Sequence, residues 1–65
     1  MSEMTFLALL SLAEEFRLRA NIAQSLQCLT AASLLQDISP YNKARANMLI
    51  GKLLAQYARN KSTFF

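Results

Sequence analysis

Hydrophobic positions recur every three to four residues over most of this chain, the period of a helix with one buried stripe. They divide it into three stretches. In the first, from about Glu3 to Arg17, Phe6, Leu9, Leu10, Ala13 and Phe16 fall at i, i+3, i+4, i+7 and i+10. Leu7 and Leu12 lie off that stripe, so the helix is apolar around most of its circumference and should have neighbours on two sides. Ser2 is a candidate N-cap, and Arg17 and Arg19 stand where the C-terminal end of the helix dipole favours cations. The stretch "RAN" then forms a joint, with Asn21 placed to cap a second helix from about Ile22 to Gln36. That helix sets Ile22, Leu26, Leu29 and Ser33 on one face, with Cys28, Ala32 and Leu35 beside it. The second joint, "DISPYN", is the clearest boundary, because Ser39 is an N-cap residue followed by Pro40, which suits the first helical position. A third helix is predicted from about Pro40 to Arg59, with Ala46, Leu49, Ile50, Leu53 and Tyr57 as its apolar stripe. Asn60 is able to end it in the left-handed conformation. Gly51 lies mid-helix, where glycine costs about 1 kcal/mol relative to alanine. It marks either the close approach of another helix or a glycine that the helix simply tolerates.

Length and composition limit what three such helices can do. With 65 residues the chain allows one small domain at most, or part of a larger one. A chain of that size buries only about 60% of its unfolded surface. Cys28 is the sole cysteine, so no intrachain disulfide staples the fold, and there is no histidine to build a metal site. Cys28 itself reads as a small buried apolar residue, since no base accompanies it. A hydrophobic content of 54% with one glycine and one proline argues against disorder and for helices that need something to pack against. The apolar run from Phe6 stops at Glu14-Glu15, short of the roughly 20 residues a membrane span requires. The N-terminal segment holds Glu3 and no Lys or Arg, unlike a secretion signal. The chain is therefore expected to be intracellular and soluble. Four carboxylates, no histidine and no glycine-rich phosphate loop leave nothing from which to assemble a catalytic site, so no enzyme, metal or cofactor is expected.

Charge is unevenly spread. Residues 1–37 carry Arg17 and Arg19 against Glu3, Glu14, Glu15 and Asp37, a net −2, whereas residues 38–65 carry Lys43, Arg45, Lys52, Arg59 and Lys61 with no acid, a net +5. The second half reads as a solvated helix face, or as a surface for an acidic or nucleic-acid partner. With Phe64-Phe65 it is also compatible with an amphipathic helix lying on anionic lipid.

A weak internal repeat refines the fold. Leu9, Leu12, Ala13 and Phe16 have the same spacing as Asn47, Ile50, Gly51 and Leu54, 38 positions later (47 − 9). The tetratricopeptide (TPR) pattern W-x2-L-G-x2-Y, followed by A-x3-F, shares this spacing with a period of about 34 residues. Ser25 and Leu29 fall where the A-x3-F pair should. Small residues at Ala13, Ser25, Ala32 and Gly51 would let antiparallel helices pack closely, with Leu12, Phe16 and Leu29 filling between them. The fold expected is all-α: three helices forming the TPR-like helical-hairpin start of an α-solenoid, with a plain three-helix bundle as the alternative. One helical pair and the first helix of a second cannot bury all their faces alone. The 65 residues are accordingly expected to be a single segment, a terminal piece of a longer repeat protein or one that folds with a partner.

The segments "FLALLSLAEEFR", "SLQCLTAA" and "KARANMLIGKLLAQYARN" resemble, in order and spacing, the N-terminus of the cohesin-loader subunit of the MAU chromatid-cohesion family. The resemblance covers Phe6 to Asn60, and its most distinctive parts are the opening segment, the triplet Gln27-Cys28-Leu29 and the spacing from Ala44-Arg45 to Gly51. The chain departs from the family in "LRAN", where a proline-bearing linker is common, and at Lys43, where an acidic residue is usual. The resemblance implies a TPR superhelix that wraps an extended segment of a large Nipped-B-like adherin subunit. Through that partner it acts indirectly on cohesin and chromatin in the nucleus, or otherwise in the cytoplasm. No membrane or small-molecule ligand is implied.

Repeat geometry places the first helix of each pair on the concave face. The candidate partner-binding residues are then Leu7, Leu10, Glu14 and Arg17 from the first helix, and Arg45, Met48, Lys52 and Gln56 from the third. Leu7 and Leu10 are equally readable as core. The alternative function is a small basic three-helix DNA-binding domain, carried by Lys43, Arg45, Lys52 and Arg59.

Overall fold

The computed structural model describes residues 2–62, with side chains described for residues 2–60. The described residues form three helices and no strand: α1 Ser2–Leu18, α2 Ile22–Ser33 and α3 Pro40–Ser62. The Phe64-Phe65 pair lies outside them. α1 is rich in Leu, Glu and Ala, which lose little or no side-chain freedom in a helix. Ser2 is already inside α1, not at its cap.

The end of α1 is a Schellman motif. The Asn21 backbone N–H donates to the Phe16 carbonyl at 2.8 Å and the Ala20 N–H to the Arg17 carbonyl at 3.0 Å, with Ala20 at φ 62°. Asn21 then opens α2, its side-chain oxygen accepting from the Gln24 N–H at 3.3 Å. One residue thus closes one helix and caps the next, which is why the joint needs so few residues.

α2 ends at Ser33, short of the expected Gln36. The Ser33 hydroxyl donates to the Thr30 carbonyl at 2.8 Å, a local bond that competes with continued helix. The Leu34 N–H is shared between the Thr30 and Ala31 carbonyls, each at 3.2 Å. Leu35 and Ile38 are therefore half-buried from the connecting turn, not from a helix. α3 opens as expected: the Asn42 N–H donates to Ser39 Oγ at 3.2 Å, and Pro40 holds the first helical position. It does not end at Asn60, which lies within the helix; neither Lys61 nor Ser62 breaks it.

α2 lies between α1 and α3, which scarcely touch each other. Buried Ser25 donates its hydroxyl to the Ala13 carbonyl at 2.7 Å, while Phe6 clusters with Ala32, so α1 and α2 run antiparallel. Ala46 joins the Phe6–Ala32 cluster and Leu53 the Ala13–Leu29 cluster, so α3 reverses direction again. The result is a flat three-helix arrangement with extents of 44 × 20 × 12 Å, in which α2 makes most of the contact with both neighbours. Ala13, Ser25, Cys28 and Ala32 are buried at the crossings, where their small size brings the backbones close. Phe6, Leu29 and Leu53 supply most of the bulk. At the far end, the Glu3 carboxylate ties α1 to the start of α3, accepting from Asn42 Nδ2 at 2.6 Å and from the Ser39 N–H at 3.4 Å.

This packing corrects three expectations and decides between the two readings of Gly51. Leu7 and Leu12 are exposed, because only one side of α1 is covered by α2. Gly51 makes no close approach: a Cβ added there would meet nothing within 4 Å. Leu54, three residues on, is exposed as well, so the 38-residue spacing does not mark equivalent burial within this layer. Tyr57 is half exposed and not part of a buried stripe, because α2 spans only 12 residues and α3 extends past its end.

Candidate functional site: the groove between α1 and α3

Because α1 and α3 flank α2 without closing over it, a groove of about 210 Å³ opens between them. Its floor is Ser25 and Leu29 of α2. Leu10, Ala13, Glu14 and Arg17 form the α1 wall, and Leu49, Lys52, Leu53 and Gln56 the α3 wall. Helical spacing explains each wall: positions three and four apart share a face, so the residues beside each buried stripe line the groove. The base is mostly aliphatic, with the Ser25 hydroxyl committed to the Ala13 carbonyl, and the rim is charged.

On the α1 rim, Arg17 grips Glu14 with two bonds: Nε donates to Oε1 at 2.9 Å and Nη2 donates to Oε2. The hydrogen bond from Arg17 holds the Glu14 carboxyl below its ordinary value, against a smaller opposing desolvation and with help from the guanidinium charge. The same bond, with the carboxylate charge, raises Arg17. On the opposite wall, Lys52 forms no ion pair among the described residues. Arg19 and Glu15 pair at 3.8 Å on the outer surface of α1.

Of the residues expected to face a partner, Leu10, Glu14, Arg17, Lys52 and Gln56 come together in the groove. Leu7, Arg45 and Met48 are exposed and do not line it. The floor and lower walls, Ala13, Ser25, Leu29, Leu49 and Leu53, were readable only as members of apolar or small-residue stripes. Periodicity identifies such residues but not that the third helix stands off from the first, leaving them at the bottom of a cleft.

Among the described residues no group of three or more His, Cys, Asp or Glu could hold a metal ion. Cys28 is buried and free. No described helix is long and apolar enough to cross a membrane. The groove is open, mostly aliphatic and rimmed by a few polar groups. No family model, curated protein or solved structure matches the chain, so it is assigned to no family.

Proposed function

We propose that the chain is a protein–protein interaction module, the TPR-like start of an α-solenoid that holds a segment of a partner between its first and third helices. The observation that carries this reading is the groove itself, an open aliphatic cleft walled by α1 and α3 and floored by α2. The layered order of the helices, with the outer two packed on the middle one, supports a solenoid start. The resemblance of "FLALLSLAEEFR" and the segments after it to the MAU chromatid-cohesion family supports a specific partner, the N-terminal segment of a large Nipped-B-like adherin subunit. On this reading the module serves cohesin loading and sister-chromatid cohesion, in the nucleus and on chromatin.

The test is calorimetric titration of the full chain with that adherin segment. Saturable binding that is abolished by Leu10→Glu, with helical content unchanged, supports the proposal. No heat of binding at a protein concentration of about 100 μM, where interactions tighter than about 1 mM register, rejects the partner.

A second reading, a small DNA-binding domain, is supported by exposed Lys43, Arg45 and Lys52 on a helix that carries no carboxylate. Against it, α3 spends Ala46 and Leu53 on packing against α2. Affinity for duplex DNA that falls steeply with salt favours this reading, and its absence at low salt removes it.

A further inference from the structure

Resting on the interaction-module reading, we infer that the groove is selective for an extended segment that pairs one large apolar side chain with a neighbouring carboxylate, and that Lys52 is the residue that reads the carboxylate. Size sets the first requirement. A cavity of roughly 150 Å³ holds a benzene ring, so about 210 Å³ accepts one or two side chains while the backbone that carries them stays above the rim. Those side chains meet Leu10, Leu29, Leu49 and Leu53, and an apolar group is the only kind that loses nothing by entering there.

Charge sets the second. The groove contains one anion and two cations, Glu14, Arg17 and Lys52. Glu14 and Arg17 are committed to each other: both carboxylate oxygens and two guanidinium nitrogens are engaged in the same bidentate pair. Arg17 is therefore not the free anion receptor, although an arginine is the more usual carboxylate partner. What remains is Lys52, on the opposite wall and without an ion pair among the described residues. An acidic residue beside the apolar anchor neutralises it. A basic residue there meets like charge and finds no free carboxylate, a penalty that discriminates as strongly as the attraction does. Gln56, half-buried next to Lys52 along the wall, presents an amide that suits the unpaired backbone of an extended segment.

The experiment is selection of a random peptide library displayed on phage against the immobilised full chain, run in parallel on Lys52→Glu and Lys52→Met, with helical content checked by circular dichroism. The wild-type chain is expected to enrich peptides with a large aliphatic or aromatic residue within two positions of Asp or Glu. Re-measured as free peptides, these should bind Lys52→Met at least about fivefold more weakly, bind Lys52→Glu more weakly still, and weaken with added salt. Enrichment of apolar peptides without acids, of basic peptides, or of peptides indifferent to both Lys52 variants overturns the inference and leaves the interaction module standing. Enrichment of sequences that bind only as preformed helices also overturns it. Failure to enrich any sequence overturns the inference and counts against the interaction module as well.

Discussion

Ala20 adopts φ 62°, a left-handed conformation in which its Cβ crowds the following carbonyl. It does so because the Schellman motif that closes α1 requires that geometry one residue before Asn21. Glycine takes the same conformation without the penalty. Ala20→Gly is therefore expected to stabilise the chain by about 1 kcal/mol, seen as a higher urea midpoint at unchanged slope. An unchanged or lower midpoint contradicts the assignment of strain. Nothing in "RAN" announced this residue, since alanine is the best helix former and carries no turn signature. Asn21 and Ser39 were legible because a capping side chain acts on backbone groups two or three residues away, a distance over which sequence alone fixes geometry.

The Glu14–Arg17 pair gives a second expectation at this scale. The Glu14 carboxyl is held below its ordinary value, chiefly by the hydrogen bond from Arg17. The sign follows from linkage: a depressed folded-state value contributes stability above the unfolded-state value, and this is lost as pH falls through the folded one. Both groups are on the surface, so the effect on stability is small and salt-sensitive. Carbon-detected NMR titration should find the Glu14 carboxyl below the ordinary glutamate range, and Arg17→Ala should return it to that range. Equal values in the two proteins would show that the pair does not form in solution.

Helix starts and apolar faces were largely legible at the scale of elements, while helix ends and exposed faces were not. The stripe through Phe6, Ala13, Ala46 and Leu53 is buried as its period required. α2 stops at Ser33, where the serine hydroxyl bonds back to the Thr30 carbonyl, and α3 runs on to Ser62 because a lone asparagine with no glycine or proline after it does not stop a helix. Gly51 separates the two readings that the sequence left open. Its surroundings are empty, so in the isolated chain it is a tolerated glycine. Gly51→Ala is expected to raise stability by about 1 kcal/mol through helix propensity alone, measured as a rise in the thermal midpoint. A fall in the midpoint would mean that the position is covered in solution, by a second copy or a rearranged helix.

The whole molecule is a thin layer whose middle helix is covered on two sides while its outer helices are each covered on one. That arrangement leaves Leu7, Leu12, Met48 and Leu54 exposed and opens the groove. It also divides the charge, with every acidic residue before the start of α3 and five of the seven basic residues within it. Periodicity placed the inward faces of α1 and α3, but the buried face of α2 runs through Ser25, Cys28, Leu29 and Ala32 and not through Ile22, Leu26 and Ser33. The rotation of α1 and α3 about α2 was not legible. This is why Leu10, Glu14, Arg17, Lys52 and Gln56 share the groove while Leu7, Arg45 and Met48, on the same helices, lie outside it. The floor residue Ser25 shows the limit most clearly: its small size suggested a crossing, but its hydrogen bond to the Ala13 carbonyl depends on a register that only the assembled pair defines.

On the interaction-module reading, this groove is where a partner segment binds. The most direct measurement is an amide chemical-shift titration of the isotope-labelled full chain with the N-terminal segment of the large adherin subunit. Saturable shifts are expected at Leu10, Glu14, Arg17, Leu29, Lys52 and Gln56, with the outer face of α1 near Glu15 and Arg19 unmoved. No shifts, or shifts that follow Lys43 and Arg45 and spare the groove, would contradict it.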